Sequence, residues 1–530
     1  MPDQFSNLQV ITKPAVRSKG GIVAAQSRKA AEVGAEVLAA GGDCVDALIA
    51  TGFALGVLEP WMSGIGGGGA MVLYRARENR VEVIDYGTRA PQSLRVEDYP
   101  LVEGAASDIF PWARVKDDRN IVGPGSIAVP GVVAGHEAAY QRHAKMAWKD
   151  LLAPSIKLAG EGLLVDWWTT LEITSSVAEL RKYPASAAAY LQDGLPPNPQ
   201  WGIRSTVRLP QETLKATLAH LASTGARDFY EGDLAKSIAT DVQAAGGTLS
   251  ARDLAAYKAH LRHPLEIPYR GGTVYATPEL TGGPTLAQVL RLLQKDLQVH
   301  REGPELAVTY SAYVLALQSA YRQRLKDMGD AEGRRALGAE HLAPTCTTHY
   351  SVVDREGNMA AVTQTLLSTF GSKFVTPASG ITMNNGIMWF DPTPGMANSL
   401  GPGKRCLTNY TPVVARTADG KTLALGASGG RRILPAVTQI LSFLIDFGMD
   451  LDTAIHQPRI DASEGDIVIG DVRLPSEVRK LLRAHFDYEE ARVQTFPGKF
   501  AFPSIVLREG DTNFGATQIF HPWADVVAED

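Results

Sequence analysis

Cysteine is nearly absent: Cys44, Cys346 and Cys406 are the only three in 530 residues. Three thiols cannot build a disulfide framework, which argues against a stapled secreted module and favours a reducing compartment. Long apolar runs are missing as well. There is no run of the roughly eighteen or more uncharged apolar residues that a membrane-spanning helix needs, and Met1–Val10 lacks the apolar core of a secretory signal. The location expected from these absences is the cytoplasm. Neither sign of charge dominates, since 52 Lys and Arg stand against 57 Asp and Glu. The net charge of −5 gives no reason to expect nucleic acid or an anionic membrane as a partner. No His, Cys, Asp or Glu cluster has metal-ligand spacing, so neither a metal nor another cofactor is expected. The glycines Gly66–Gly69 stand in a row but lack the following Lys-Ser/Thr of a phosphate-binding loop. Close backbone packing is the plainer reading of them.

What is present reads as an ordinary globular enzyme, 45% hydrophobic and 21% charged, long enough for one large packed unit. Helical patterns run over Ser27–Ala40, stopped by Gly41-Gly42, and from Asp43 to about Leu58. Val81–Tyr86 reads as a strand, and Gly123–Gly131 as a glycine-rich edge before a helix from Val132. Amphipathic spacing recurs in Trp148–Gly162, Gln211–Thr224, Leu234–Ala245 and Thr285–Leu297, so the middle third is mainly helical. Asp327–Thr345 is charged, then Gly- and Pro-bearing, and reads as a mobile connector. No internal repeat is visible.

The chemistry-bearing stretch follows that connector. Thr347-Thr348-His349-Tyr350-Ser351-Val352-Val353-Asp354 reads as a strand and Met359–Leu366 as its return. A tight turn centred on Glu356 sets Thr347 opposite Thr365, with both hydroxyls on one face. On the pattern alone this can be ordinary sheet, because Thr is a good strand residue. Thr369–Gly371 and Ser379–Asn385 are expected to continue the sheet after the hairpin, and Leu423–Ser428 is a further strand that ends in Gly429-Gly430 and enters a helix. The backbone N–H groups of that turn suit an oxyanion, or the pair is a plain glycine turn.

The string Thr-Thr-His-Tyr-Ser-Val-Val-Asp resembles the cleavage-site motif of the γ-glutamyltranspeptidase family, and the resemblance covers nearly the whole chain. Ser63–Gly69, Asp253–Tyr257, Tyr269–Tyr275 and Gly401–Thr408 are similar to family stretches too. What the resemblance implies is an α+β fold, the αββα sandwich of N-terminal-nucleophile hydrolases. It implies a proenzyme that cuts itself at Cys346–Thr347. Residues 1–346 become a large fragment and 347–530 a small catalytic one, intertwined as an αβ heterodimer or a dimer of such heterodimers. Thr347 is then the nucleophile, Thr365 orients its hydroxyl, and Gly429 and Gly430 form the oxyanion hole. The physical reason for a chain-start threonine is its free α-amine, with a reference pKa near 7.7–8.0. That amine is a base on the same residue, which an internal peptide nitrogen cannot be. His349 is expected to be a packed histidine, not a base, and Cys346 not a nucleophile.

The recognition residues depart from the family pattern. Where glutathione-cleaving members hold the γ-glutamyl carboxylate with an Arg, this chain has Asp85-Tyr86-Gly87-Thr88 and then Arg89. Arg89 is either that partner, with Arg405 as a second candidate, or a sheet-edge ion pair. The family's two serines correspond to Thr408 and Asn409. The positions that usually meet the substrate's ammonium are Leu367, Gly386 and Trp389, none with a side chain that accepts a hydrogen bond. Trp389 is expected to offer a flat apolar face, under a lid shortened between Pro394-Gly395 and Gly401-Pro402. The expected partner is therefore a small-molecule amide, cleaved through an acyl-enzyme on Thr347. A γ-glutamyltransferase with rebuilt ligands and an unprocessed, inactive relative are the alternatives.

Overall fold

Asp43 shows why the first helical layer starts where it does. Its carboxylate accepts the Val45 N–H at 2.8 Å and the Asp46 N–H at 3.4 Å, while the Asp46 carboxylate accepts the Asp43 N–H at 2.9 Å. This capping box satisfies N–H groups that would otherwise lack partners and opens the helix Cys44–Leu58. That helix is apolar nearly all round and buried, and it ends at Glu59 because Pro60 cannot continue it. Beside it lies Arg28–Ala39, amphipathic, with Ala30, Ala31, Val33, Val37 and Leu38 turned inward. The computed structural model describes residues 13–105, 112–200, 206–297, 299, 303, 306–329, 346–496 and 498–529. Most of the expected connector, residues 330–345, lies outside the described residues.

Two seven-stranded sheets form the middle of the molecule. One runs, edge to edge, Val16–Ser18, Thr512–Thr517, Phe502–Glu509, Thr422–Ser428, Val413–Arg416, Gly272–Ala276 and Leu265–Tyr269. The other runs Asp525–Ala528, Ile22–Ala25, Thr348–Val353, Met359–Thr365, Gly68–Arg75, Arg80–Tyr86 and His260–Arg262. Pairing is antiparallel throughout both. Each sheet mixes strands from before and after Cys346, so neither 1–346 nor 347–530 owns a complete sheet.

Cys44–Leu58 and its neighbours cover the outer face of the second sheet. Gly283–Asp296, Ala307–Asp327 and Ile433–Ile445 cover the outer face of the first. Ile22, Val72, Val83, Val353, Val414 and Val506 fill the space between the sheets. The layers are helix, sheet, sheet, helix, as expected for the αββα class. Thr348–Val353 is buried on both faces, with Tyr350 and Val352 in the helix-side core and Val353 between the sheets. A strand covered on both sides loses the polar/apolar alternation of a half-exposed one.

One expectation needs correction. Thr369–Gly371 and Ser379–Asn385 do not continue the sheet. Their only ladder contact is the isolated bridge Val375↔Thr382. Leu367, Phe370, Gly371 and Lys373 all have positive φ, from 52° to 88°, which no extended ladder tolerates. Side chains satisfy the backbone instead: Asn385 Oδ1 accepts the Ser368 N–H at 3.1 Å, and Asn384 Nδ2 donates to the Gly66 and Ala128 carbonyls.

Candidate active site

The hairpin register is Thr348↔Gln364 through Val353↔Met359. Asp354 sets it, accepting the Asn358 N–H at 2.9 Å, while Gly357 takes a φ of 85° in the turn. Continued by one residue, this register places Thr347 against Thr365. The Thr365 hydroxyl donates to the Cys346 carbonyl at 2.8 Å and accepts the Leu367 N–H at 2.8 Å. The Thr347 hydroxyl lies against that same carbonyl and 3.3 Å from Thr365 Oγ1. Two buried hydroxyls thus converge on the acyl side of the Cys346–Thr347 bond.

Gly67 and Gly69 let the Thr365 strand come this close. A Cβ on Gly67 would lie 2.3 Å from the Thr365 carbonyl oxygen, and one on Gly69 equally close to that of Thr363. Close backbone packing is thus what the glycine row does. The next segment anchors Cys346: its thiol is 2.7 Å from the Trp61 and Met62 carbonyls, which also accept the Phe370 and Leu366 N–H groups. Burial pushes the Cys346 thiol well above its ordinary pKa, so the thiolate a nucleophile needs is disfavoured.

A buried polar group flanks the bond. Glu59 Oε2 accepts the Thr348 hydroxyl at 3.3 Å, and Glu59 Oε1 lies 3.9 Å from His521 Nε2. Burial raises Glu59 to about 8, with the neighbouring Glu172 raised to about 8 by the same cause. His349 points between the sheets, its ring nitrogens 2.9 Å from Thr363 Oγ1 and 3.1 Å from Ser351 Oγ. Burial lowers its pKa to about 3, so it stays neutral, with both nitrogens occupied by hydroxyls other than Thr347's. It is a packed residue.

Gly429 and Gly430 lie at the same end of the sandwich. The pairing Ser351↔Ala24, continued by two residues, sets Gln26 beside His349, and the Gln26 amide donates to the Ser428 hydroxyl. Gly429 has φ 135° and Gly430 φ 58°, so both occupy backbone regions that disfavour side chains. A Cβ at Gly429 would also sit 2.9 Å from Ala501 Cα. Gly430 opens the turn Gly430–Arg432 that leads into Ile433–Ile445, and the first N–H groups of such a turn have no internal acceptor.

Arg89 bridges by its backbone to Val129 and Arg405, with the Ala90 N–H donating to the Lys404 carbonyl at 2.8 Å. Its half-buried guanidinium makes no hydrogen bond or ion pair among the described residues. Arg405 is engaged, 2.7 Å from Glu279 and 3.6 Å from Asp85. Thr408 Oγ1 donates to the Leu280 carbonyl at 3.0 Å. Asn409 Oδ1 accepts from Arg324 at 3.3 Å, while its Nδ2 is buried with no partner among the described residues. Leu367 and Trp389 share one apolar cluster; Trp389 is 1% exposed and tilted on Tyr410 at 5.9 Å. Its ring is covered in this arrangement, not open as a flat face. Gly386 packs under Thr88 and Ala128. The segment between Pro394-Gly395 and Gly401-Pro402 is pinned by Asn398, which donates to the Trp389 carbonyl at 2.7 Å and accepts the Leu407 N–H at 3.1 Å.

Sequence reasoning missed Glu59, Glu172, Tyr321 and Arg324. Glu59 carried a signal, a lone carboxylate between an apolar helix and Pro60-Trp61, where burial was foreseeable. The other three sit on helices whose charged and aromatic residues look like any solvated or packed face.

The chain matches the family model described as Gamma-glutamyltranspeptidase over residues 30–344 and 335–517. It is 33% identical over 519 residues to the acylase ACY 1 proenzyme of Pseudomonas sp. strain V22, covering 92% of this chain and 91% of that one. It is 32% identical to the glutathione hydrolase proenzyme of Escherichia coli strain K12, covering 84% and 81%. The crystal structure of cephalosporin acylase from Bacillus halodurans superposes with a TM-score of 0.84 at 23% identity, covering 100% of this chain and 99% of that one.

Proposed function

This chain belongs to the gamma-glutamyltranspeptidase family, and from that premise we propose that it matures by cutting itself at Cys346–Thr347 and then hydrolyses an acyl amide through Thr347. The observation that carries this is the convergence of the Thr347 and Thr365 hydroxyls on the Cys346 carbonyl. In maturation, Thr347 Oγ1 adds to the Cys346 carbonyl carbon and closes a five-membered ring. The hydroxyl proton passes to the Thr347 nitrogen, the C–N bond breaks, and an ester and a free amine result. Water then cleaves the ester into the Cys346 carboxylate and the Thr347 hydroxyl.

In turnover the new amine takes the Thr347 hydroxyl proton as the oxygen attacks the substrate carbonyl. Gly429 and Gly430 offer backbone N–H groups to the oxyanion, and the amine product leaves with the proton. Water then releases the acyl group.

The acyl group we infer carries a carboxylate but no α-ammonium. Arg89 is half-buried with no ion-pair partner among the described residues, and Asn409 Nδ2 is a second unmet donor. Leu367, Gly386 and Trp389 supply no acceptor for an ammonium. That chemistry describes a glutaryl-type amide better than a γ-glutamyl one, and named relatives include both an acylase and a glutathione hydrolase.

The test is mass spectrometry of the incubated chain, followed by turnover of glutaryl-p-nitroanilide and γ-glutamyl-p-nitroanilide. A new N-terminus at Thr347 and faster hydrolysis of the glutaryl amide are expected. A different N-terminus removes the nucleophile assignment. Glutathione outperforming the glutaryl amide, with efficient transfer to glycylglycine, removes the specificity assignment.

A further inference from the structure

Helix Ala307–Asp327 presents Tyr321 and Arg324 three residues apart, hence on one face. The side chains reach two different loops. The Tyr321 hydroxyl donates to the carbonyl of Arg431, which follows Gly429-Gly430. Arg324 donates through one terminal nitrogen to the Thr408 carbonyl and to Asn409 Oδ1, and through the other to the Thr281 carbonyl at 2.6 Å and to Thr285 Oγ1 at 3.3 Å. Both residues are buried, and every oxygen that Arg324 holds belongs to a carbonyl, an amide or a hydroxyl, not a carboxylate. A buried cation is costly, and a simple ion pair would have satisfied it more cheaply. Spreading its planar fork over two loop segments fixes their geometry, which a single ammonium cannot do.

Arg324 also decides the orientation of the Asn409 amide. Guanidinium is donor-only, so the atom it meets must be Oδ1, which turns Nδ2 into the unmet buried donor.

We propose that Tyr321 and Arg324 are positioning residues of one helical strut that sets the two halves of the acyl site. Tyr321 holds the diglycine turn in the conformation that offers N–H groups to the oxyanion. Arg324 holds the 408–409 segment so that Asn409 presents its N–H to an oxygen of the acyl group. This rests on the roles proposed above for Gly429, Gly430 and Asn409. Maturation uses different contacts, since in the uncut chain Thr365 and not the diglycine meets the scissile carbonyl. The strut therefore acts on turnover and not on self-cleavage.

The experiment uses the full chain and its Tyr321→Phe and Arg324→Lys variants, measuring fraction cleaved, thermal midpoint, kcat and KM on glutaryl-p-nitroanilide. Tyr321→Phe is expected to mature normally and lose roughly tenfold in kcat with KM within about twofold, because an oxyanion donor acts in the transition state. Arg324→Lys keeps the charge but not the fork, and is expected to raise KM roughly tenfold with little change in kcat. A purely structural role moves both parameters alike, in step with the thermal midpoint, and that result overturns the proposal. So does unchanged kcat and KM in both variants. Should Arg324→Lys fail to fold, Tyr321→Phe decides alone, since it removes one oxygen. No turnover by the native chain overturns the underlying acyl-amide reading instead.

Discussion

Thr365→Val tests the maturation geometry most directly. Valine keeps the shape and β-branching of threonine, so the strand Met359–Thr365 and its pairing to Gly68–Arg75 need not move. Two interactions disappear with the oxygen: the 2.8 Å donation to the Cys346 carbonyl and the 2.8 Å acceptance of the Leu367 N–H. The first is a donor aimed at the oxygen that becomes negative when Thr347 attacks. Losing one such donor costs about 3–4 kcal/mol of barrier, or roughly 10²–10³ in rate. The second leaves a buried N–H unpaired, a stability cost of about 1–3 kcal/mol. Self-cleavage, followed as the uncut band on a denaturing gel with the junction checked by mass, is therefore expected to slow by at least roughly a hundredfold. Thr365→Ser restores the hydroxyl and is expected to recover most of the rate. Maturation of Thr365→Val at the native rate, or a serine variant as slow as the valine one, would refute the role given to this hydroxyl.

Other outcomes follow from the same geometry. Thr347→Ala is expected to stay a single uncut chain, and cleavage at Cys346 in that variant rules out Thr347 as the attacking group. Arg89→Ala should raise KM for glutaryl-p-nitroanilide roughly tenfold or more, as expected for a lost charged hydrogen bond, and leave the maturation rate alone; an unchanged KM makes Arg89 a surface residue. Glu59 is raised from 4.5 to about 8 by burial, with Glu172 raised alongside it and His521, lowered to about 3, facing it uncharged. Its stabilising contribution is complete below about pH 4.5, falls as the unfolded chain ionises, and is gone by about pH 8. Glu59→Gln should therefore narrow the gap between thermal midpoints at pH 5 and pH 8, and an unaltered gap contradicts the raised pKa. Because each sheet contains strands from both sides of Cys346, the matured fragments should co-elute on a native column and part only in denaturant.

Much of the fold could be read from local rules. Gly41-Gly42 ended one helix and the Asp43 capping box began the next, within a residue of expectation, because those signals act over a few neighbouring atoms. The Thr347–Thr365 opposition was readable for the same reason, since one short turn sets the register. The region 366–412 was not readable as structure. Its residues look strand-forming, but left-handed positions at Leu367, Phe370, Gly371 and Lys373 and the side chains of Asn384 and Asn385 hold it in an irregular path. Those contacts come from Gly66, Ile121 and Ala128, far away in the chain.

The site divides in the same way. The hairpin register set Thr347 opposite Thr365 and a strand-to-helix turn offered Gly429 and Gly430, while the family resemblance gave all four their roles and added Arg89, Thr408, Asn409 and Trp389 as candidates. Their surroundings were another matter. That Trp389 is covered by Tyr410, that Arg405 is engaged by Glu279, and that among the described residues Arg89 has no ion pair and Asn409 one unmet N–H are facts of packing. So is the strut of Tyr321 and Arg324, whose partners lie roughly a hundred residues along the chain. Chain-local geometry is encoded in short strings because dihedral preferences and near-neighbour hydrogen bonds decide it. The charge, burial and orientation of a site depend on which distant segments the two sheets bring together, and only the tertiary structure carries that.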